Sequence, residues 1–223
     1  MNLDTAWVVI PAFNEDAVLG DVIKHVLTKF KYVVVIDDNS TDNTAKVALD
    51  AGACVVTHPI NLGQGAGLQT GFDFVKMQDD VSCVVTFDAD GQHDLDDAAA
   101  MVELLQKENL DVVLGSRFLD DKTEVSTFKR IVLKAAAKWG AWTTGMKLTD
   151  AHNGLRVISR ETLDKFHINQ NKMAHASEII DKFSELKVSY KEYPTHIRYT
   201  EYSKSKGQPL LNSVNILIDL IMK

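Results

Sequence analysis

Short apolar runs recur along the first half of the chain, each closed by Gly or by polar residues: Trp7-Val8-Val9-Ile10-Pro11, Tyr32-Val33-Val34-Val35-Ile36-Asp37, Ala53 to Thr57, Ser82 to Phe87 and Leu110 to Ser116. Runs that are apolar on successive residues, not alternate ones, predict strands covered on both faces, as in a parallel sheet. Between them the period changes. Val18, Leu19, Val22, Ile23, Val26 and Leu27 hold a helical spacing, and Asn14 is a candidate cap for a helix reaching about Phe30. Further helices are expected from Thr41 or Asp42 to Gly52, from Gln64 to Lys76 and from Asp94 to Lys107, the last with acids in its first turn. Strands separated by helices of this length imply an α/β fold with right-handed crossovers.

From about Lys122 the rhythm changes. A long helix is expected from Glu124 to Trp142, bearing Lys129, Arg130, Lys134, Lys138, Trp139 and Trp142. A Gly-bearing segment, Asp150 to Ile158, follows. A short helix is expected around Glu178-Ile179-Ile180, a strand from Val188 to Tyr199 and an amphipathic tail helix from Pro209 to Met222. No Pro- or Ser-rich linker, repeat or low-complexity segment interrupts the chain, so residues 1–223 read as one domain.

A net charge of −7 argues against nucleic acid as a partner and makes any anionic ligand depend on local cations. Cys54 and Cys83 each lie in an apolar run and read as reduced core residues, neither a disulfide framework nor a zinc site. No signal peptide and no run of about 20 apolar residues is visible, so a cytoplasmic protein is expected.

The densest chemistry is Phe87-Asp88-Ala89-Asp90-Gly91-Gln92-His93. Residues i and i+2 of an extended chain point the same way, so Asp88 and Asp90 can aim oxygens at one point beyond the strand end. Paired hard carboxylates suit Mg²⁺ or Mn²⁺, and ligands of open α/β sheets bind at carboxyl ends of strands. A solvated acidic turn is the plainer alternative. Pro11-Ala12-Phe13-Asn14-Glu15 ends the first strand, where Glu15 is either a first-turn acid or a nucleotide contact. Asp37-Asp38-Asn39-Ser40-Thr41-Asp42 ends the second, as an Asx-type turn or as acceptors for a ribose or base. Gly63-Gln64-Gly65-Ala66-Gly67 follows the third strand and lacks the G-x-G-x-x-G spacing, so close packing of a loop and helix start is the better reading than dinucleotide binding. No P-loop occurs. Gly115-Ser116-Arg117 offers a strand-end arginine for a diphosphate, or a surface ion pair. His58, His152 and His175 have no metal-ligand spacing; His93 lies beside the acidic pair.

Taken in order, these blocks resemble the inverting GT-A glycosyltransferases of family 2, in particular the dolichyl-phosphate (polyprenyl-phosphate) mannosyltransferase-like branch, from about residue 6 to 160. The resemblance implies a three-layer α/β/α sandwich with a mostly parallel sheet. It further implies residues 1–120 as the nucleotide-sugar-binding half and 121–223 as the acceptor side. It implies a UDP- or GDP-linked sugar donor, contacted by Pro11, Phe13, Glu15, Asp37, Asp38, Asp88, Arg117 and Lys206. Asp88, Asp90 and Gln92 would hold Mg²⁺ or Mn²⁺. Asp150-Ala151-His152-Asn153-Gly154-Leu155-Arg156 is similar to the branch's D-x-x-S-G-F-R, placing Asn153 and Arg156 by the acceptor, with Asn153 replacing Ser and Leu155 replacing Phe. Asp150, Glu178 and Arg117 are the catalytic candidates, either carboxylate serving as base if the acceptor is a glycan hydroxyl; a polyprenyl-phosphate acceptor needs little base help. Arg198 and Ser203-Lys204-Ser205-Lys206 resemble a phosphate-contacting loop. The basic helix and the tail helix could lie on a bilayer at the inner face of the membrane, or pack on the sheet or on a second subunit as a homodimer. The rival readings are a sugar nucleotidyltransferase, which should carry a Gly-rich basic loop where Pro11–Glu15 stands, and a non-catalytic sugar-nucleotide-binding subunit.

Overall fold

The computed structural model describes residues 3–119 and 145–197. The expected helix 124–142, the tail helix 209–222, Arg198, Lys204 and Lys206 lie outside the described residues. Seven strands form one sheet: β1 (Ala6–Ala12), β2 (Tyr32–Asp37), β3 (Cys54–Thr57), β4 (Cys83–Thr86), β5 (Val112–Ser116), β6 (Arg156–Ser159) and β7 (Tyr190–Pro194). Six helices flank it: α1 (Leu19–Val26), α2 (Thr44–Asp50), α3 (Gln64–Lys76), α4 (Leu95–Glu108), α5 (Arg160–Lys165) and α6 (His175–Glu185).

The strand order is β3-β2-β1-β4-β6-β5-β7, parallel except for β6, which runs antiparallel between β4 and β5. Both faces are covered, as the continuous apolar runs require. Val8, Ile10, Val33 and Val35 pack with Ile23, Val26, Met101 and Val102 of α1 and α4 on one side. Trp7, Val9, Val34 and Ile36 pack with Phe72, Val75, Ile179 and Phe183 of α3 and α6 on the other. Each such side chain removed from water contributes about 1.5–3 kcal/mol. The result is the three-layer α/β/α arrangement, with the strand order reversing between β1 and β4, where a ligand crevice is expected.

Several local expectations need correction. Asn14 caps no helix: it holds a positive φ of 55° and its Oδ1 accepts from Thr41 N at 2.8 Å, tying the β1 loop to the β2 loop, so α1 starts only at Leu19. Cys54 is exposed on the edge strand β3, whereas Cys83 is buried. The segment after Asp150 contains β6, and α5 follows it directly, capped by Ser159 accepting from Thr162 N. The strand expected over 188–199 is confined to Tyr190–Pro194. By contrast α3 spans the expected 64–76, and Asp94 caps α4 by accepting from Asp96 N at 2.8 Å.

Candidate active site

The carboxyl ends of β1, β2, β4 and β5 open on one rim, and antiparallel β6 begins there, so Arg156 enters the sheet beside Thr86 of β4. Thr86 Oγ1 donates to Gly154 O at 2.6 Å and accepts from Arg156 N at 3.1 Å, fastening the two strand ends together. Two residues past Thr86, Asp88 sits against the backbone of Gly154; a Cβ there would meet Asp88 Oδ2 at 2.6 Å.

Asp88 keeps 35% of its side chain exposed, and His93 Nε2 lies 2.9 Å from its Oδ2. The His93 ring packs edge-on to Phe87, and neither ring nitrogen has an aligned hydrogen bond among the described residues. Burial pushes the Asp88 carboxyl up, but the neighbouring His93, Arg156 and His175 outweigh it and hold it below the usual range. For Asp90 the balance is opposite: burial and the charge of Asp88 raise it, although Gln92 N donates to its Oδ1 at 3.0 Å. A carboxylate driven toward its proton by a neighbouring carboxylate lacks positive charge, which a divalent cation supplies. Among the described residues no three His, Cys, Asp or Glu side chains converge on one point. Two hard carboxylates with the remaining positions left to phosphate and water nevertheless suit Mg²⁺ or Mn²⁺, which rarely take an all-protein cage. Gln92 meets the pair through its backbone N–H.

Arg117, after β5, is gripped by Asp150. Nε lies 2.6 Å from Oδ2 and Nη2 2.7 Å from Oδ1, and the Arg117 backbone N–H donates to Oδ2 at 3.1 Å. Burial would raise the Asp150 carboxyl, but Arg117 reverses this and holds it low. Asp150 is therefore the guanidinium's fixed counter-charge. Glu192 of β7 in turn accepts from Thr149 N and Asp150 N, at 2.8 and 3.1 Å, and so fixes this segment.

Glu178 on α6 is likewise engaged. Its carboxylate accepts from Asn169 N, Asn169 Nδ2 and Gln170 N at 2.7–3.0 Å, and these bonds outweigh burial to hold it low. Asn153 bridges Thr195 Oγ1 and Leu155 N, at 2.9 and 3.0 Å, leaving its amide committed to the start of β6. Asp38 accepts from Leu62 N, Gly63 N and His58 Nδ1 at 2.7–2.8 Å, while His58 Nε2 meets Thr70 Oγ1 at 2.9 Å. Asp38 is thus a staple between the β2 loop and α3. Asp37 is buried beneath it, with Oδ1 accepting from Ser40 N at 3.2 Å. Phe13, just beyond β1, is 45% exposed. Glu15 is near enough to Asp90 for its charge to be felt there.

The glycine run serves packing. Gly65 N donates to Asn171 O at 2.9 Å, and a Cβ on Gly65 would overlap the carbonyl oxygen of Gln170; one on Gly67 would meet Pro11 Cβ at 3.0 Å. The start of α3 is closed by a loop carbonyl and offers no dinucleotide cradle.

Two residues without a sequence signal join the site. His175, the first residue of α6, and His152 both sense the charge of Arg156; burial first, then that charge, lowers both imidazoles. Arg156 itself is 3% exposed and drawn down to about 10 by burial, against the opposing pull of Asp88 and Asp150. A lone histidine has no spacing to betray it, and only the sheet register brings these together.

The sequence profile described as Glycosyl transferase family 2 matches residues 7–167. The chain belongs to glycosyl transferase family 2. It is 33% identical to an uncharacterized protein of Methanocaldococcus jannaschii over 100% of this chain and 93% of that one. It is 27% identical to the UDP-N-acetylglucosamine–dolichyl-phosphate N-acetylglucosaminyltransferase of Methanococcus voltae, over 97% and 94% of the two chains. Among solved structures, glucosyl-3-phosphoglycerate synthase of Mycobacterium tuberculosis, in complex with Mn²⁺, UDP-glucose and phosphoglyceric acid, superposes with a TM-score of 0.72 at 21% identity, over 98% of this chain and 79% of that one. The fold is thus GT-A and the protein a glycosyltransferase of this family.

Proposed function

We propose that the protein is an inverting, divalent-metal-dependent transferase that moves a sugar from a nucleoside-diphosphate donor to a polyprenyl-phosphate acceptor. The observation that carries this is the Asp88–Asp90 pair at the switch point between β1 and β4, with the charge of Arg156 felt at Asp88. Asp88 and Asp90 would hold Mg²⁺ or Mn²⁺, with Gln92 as the third candidate. When bound, the cation supplies charge for the departing diphosphate. A UDP-linked donor is favoured over a GDP-linked one by the names of the Methanococcus relative and the mycobacterial structure.

The donor residues are those of the family resemblance at the ends of β1, β2 and β5. Phe13, exposed just beyond β1, would lie against the nucleoside, with Pro11, Glu15 and Asp37 at the ends of β1 and β2 as the other donor contacts. Asp38 acts beneath them by fixing residues 62–63. Arg117, held rigid by Asp150, presents its guanidinium to a phosphate as the bond from C1 to the leaving oxygen breaks. Lys206 belongs to this set by family resemblance alone.

The acceptor reading has its own support. Both carboxylates able to act as base, Asp150 and Glu178, already accept several hydrogen bonds and are held below the ordinary range. A sugar hydroxyl needs a base; an ionised phosphate oxygen attacks C1 without one. A polyprenyl acceptor brings the protein to a membrane surface, although no helix among the described residues is long and apolar enough to cross one. The deciding experiment is a screen of UDP-, GDP- and dTDP-sugars with Mn²⁺ for thermal stabilisation, followed by transfer to a short polyprenyl phosphate with analysis of anomeric configuration. Stabilisation by a UDP-sugar and a product of opposite configuration are expected. Transfer to a glycan hydroxyl in its place would refute the acceptor assignment.

A further inference from the structure

One buried side chain at the rim has no part in the chemistry above. His93 is 6% exposed, and neither of its ring nitrogens has an aligned hydrogen bond among the described residues. Asp38, Asp150 and Asn153, buried at the same rim, all have theirs. A buried polar group left without its hydrogen bond costs about 1–3 kcal/mol, so a chain that keeps two such atoms has a use for them.

The fold aims this ring at one atom. Gly91, with a φ of 73°, turns the chain after Asp90, and His93 comes back to Asp88. Its Nε2 lies 2.9 Å from Asp88 Oδ2, within hydrogen-bond distance. Two supports hold it there. Phe87 packs edge-on to the imidazole, with centroids 5.3 Å apart, and the His93 backbone forms an antiparallel bridge with Ile197. Ile197 ends a strap that Thr195 N fastens to Ser116 O at 2.9 Å, and His196 N to buried Asp97 Oδ2 at 2.7 Å. The other Asp88 oxygen, Oδ1, faces exposed Gln64 at the start of α3, whose Nε2 is 3.4 Å away.

We propose that His93 is the positioning residue of the cation site: its Nε2–H holds Asp88 Oδ2 and so leaves Oδ1 for the cation. A carboxylate free to turn must be ordered when it binds a metal, whereas one held by a buried donor is set beforehand. Either charge state of the imidazole can carry the hydrogen on Nε2, so the role needs no proton to move. This rests on the metal-dependent reading of Asp88 and Asp90, and it adds a residue that acts through Asp88.

The test is Mn²⁺ binding by the full chain in saturating UDP, followed by electron paramagnetic resonance of the free ion, beside melting curves in chelator. His93→Phe keeps a ring against Phe87 and removes both nitrogens. His93→Gln returns an amide N–H near the place of Nε2. Mn²⁺ affinity should fall about tenfold or more in His93→Phe and stay within about threefold of wild type in His93→Gln. In chelator His93→Phe should melt at or above wild type, because two unsatisfied buried atoms are gone. Should His93→Phe not fold by circular dichroism, His93→Leu is held to the same limits. Mn²⁺ held equally by wild type and the apolar variant overturns the positioning role alone, and so does an equal loss of affinity in His93→Gln. A drop in chelator melting that accompanies the lost affinity in both His93→Phe and His93→Leu overturns it as well, since the ring would then serve the fold. A wild type that binds no Mn²⁺ refutes the metal-dependent reading itself, and the proposal with it.

Discussion

Asp150 holds Arg117 by two parallel contacts, 2.6 and 2.7 Å, with a third from the Arg117 backbone. The carboxylate is almost wholly buried and the guanidinium mostly so. Removing one partner of such a pair leaves the other uncompensated, at about 3–5 kcal/mol. Asp150→Asn should therefore lower the melting temperature by several degrees, and more than Lys46→Ala, which breaks an exposed helical pair with Asp50. Equal melting shifts for the two would refute the structural importance of the Arg117 clamp.

Asp88 and Asp90 predict opposite signs for binding and stability. Asp90→Asn should abolish Mn²⁺-dependent stabilisation by a nucleotide sugar and reduce transfer by about a hundredfold or more. In chelator the same variant should melt at or above wild type, because burial and the Asp88 charge both oppose ionisation of Asp90. Melting curves with and without Mn²⁺ measure both effects; a metal-free variant less stable than wild type would contradict the charge balance.

Acid should unfold the protein through particular carboxylates. Asp111, Asp150 and Glu178 all lie below their ordinary values in the folded chain: burial opposes ionisation, but hydrogen bonds to Asp111 and Glu178 and the Arg117 partnership of Asp150 prevail. The folded state binds their protons more weakly than the unfolded state, so stability is present above the unfolded values, about 4, and is lost as pH falls through the lower folded values. Urea midpoints should decline gently from pH 7 to 5, as the unfolded chain protonates His152 and His175 ahead of the folded one, and drop further below about 4, with that second drop shallower in Asp111→Asn.

The two thiols should react at different rates. Burial pushes Cys83 up to about 11, whereas Cys54 is exposed on β3. Ellman's reagent at pH 8 should titrate one thiol quickly, and Cys54→Ser should remove that phase; a fast phase surviving the substitution would place the exposure wrongly.

Two glycines separate fold from chemistry. Gly65→Ala drives a methyl into the Gln170 carbonyl, backbone against backbone, and should cost about 1–3 kcal/mol or more. Gly154→Ala instead displaces the Asp88 carboxylate, 2.6 Å from the new Cβ, so it should depress transfer and metal-dependent binding more than stability. Parallel melting and activity measurements on both variants distinguish the two roles.

How much of this could be read in the residues alone varied with how local the cause was. Strands β1, β2 and β4 were legible because a parallel strand between two helical layers must be apolar on consecutive residues, and Val33-Val34-Val35-Ile36 leaves little choice. β6 was not: Arg156-Val157-Ile158-Ser159 is short and begins with a charge, and its antiparallel insertion depends on strands β4 and β5 already in place. The position of Asp88 at a strand end was legible for the same reason as its strand. What Asp150 and Glu178 do was not, since an acidic side chain looks the same in sequence whether it awaits a proton or grips a neighbour. Asn14 misled because a capping residue and a cross-loop tie share one residue type, and only its positive φ distinguishes them.

The loop carbonyls over Gly63 and Gly65 come from residues 170–171, on the far side of β6 in sequence, and Glu178 of α6 holds that loop in place. The nucleotide-side helix is therefore seated by atoms encoded a hundred residues later. A shortened gene product ending after α5 would leave bare glycines and unsatisfied amides where α3 begins. The fragment would lose the helix whose Glu178 holds the loop that closes the start of α3.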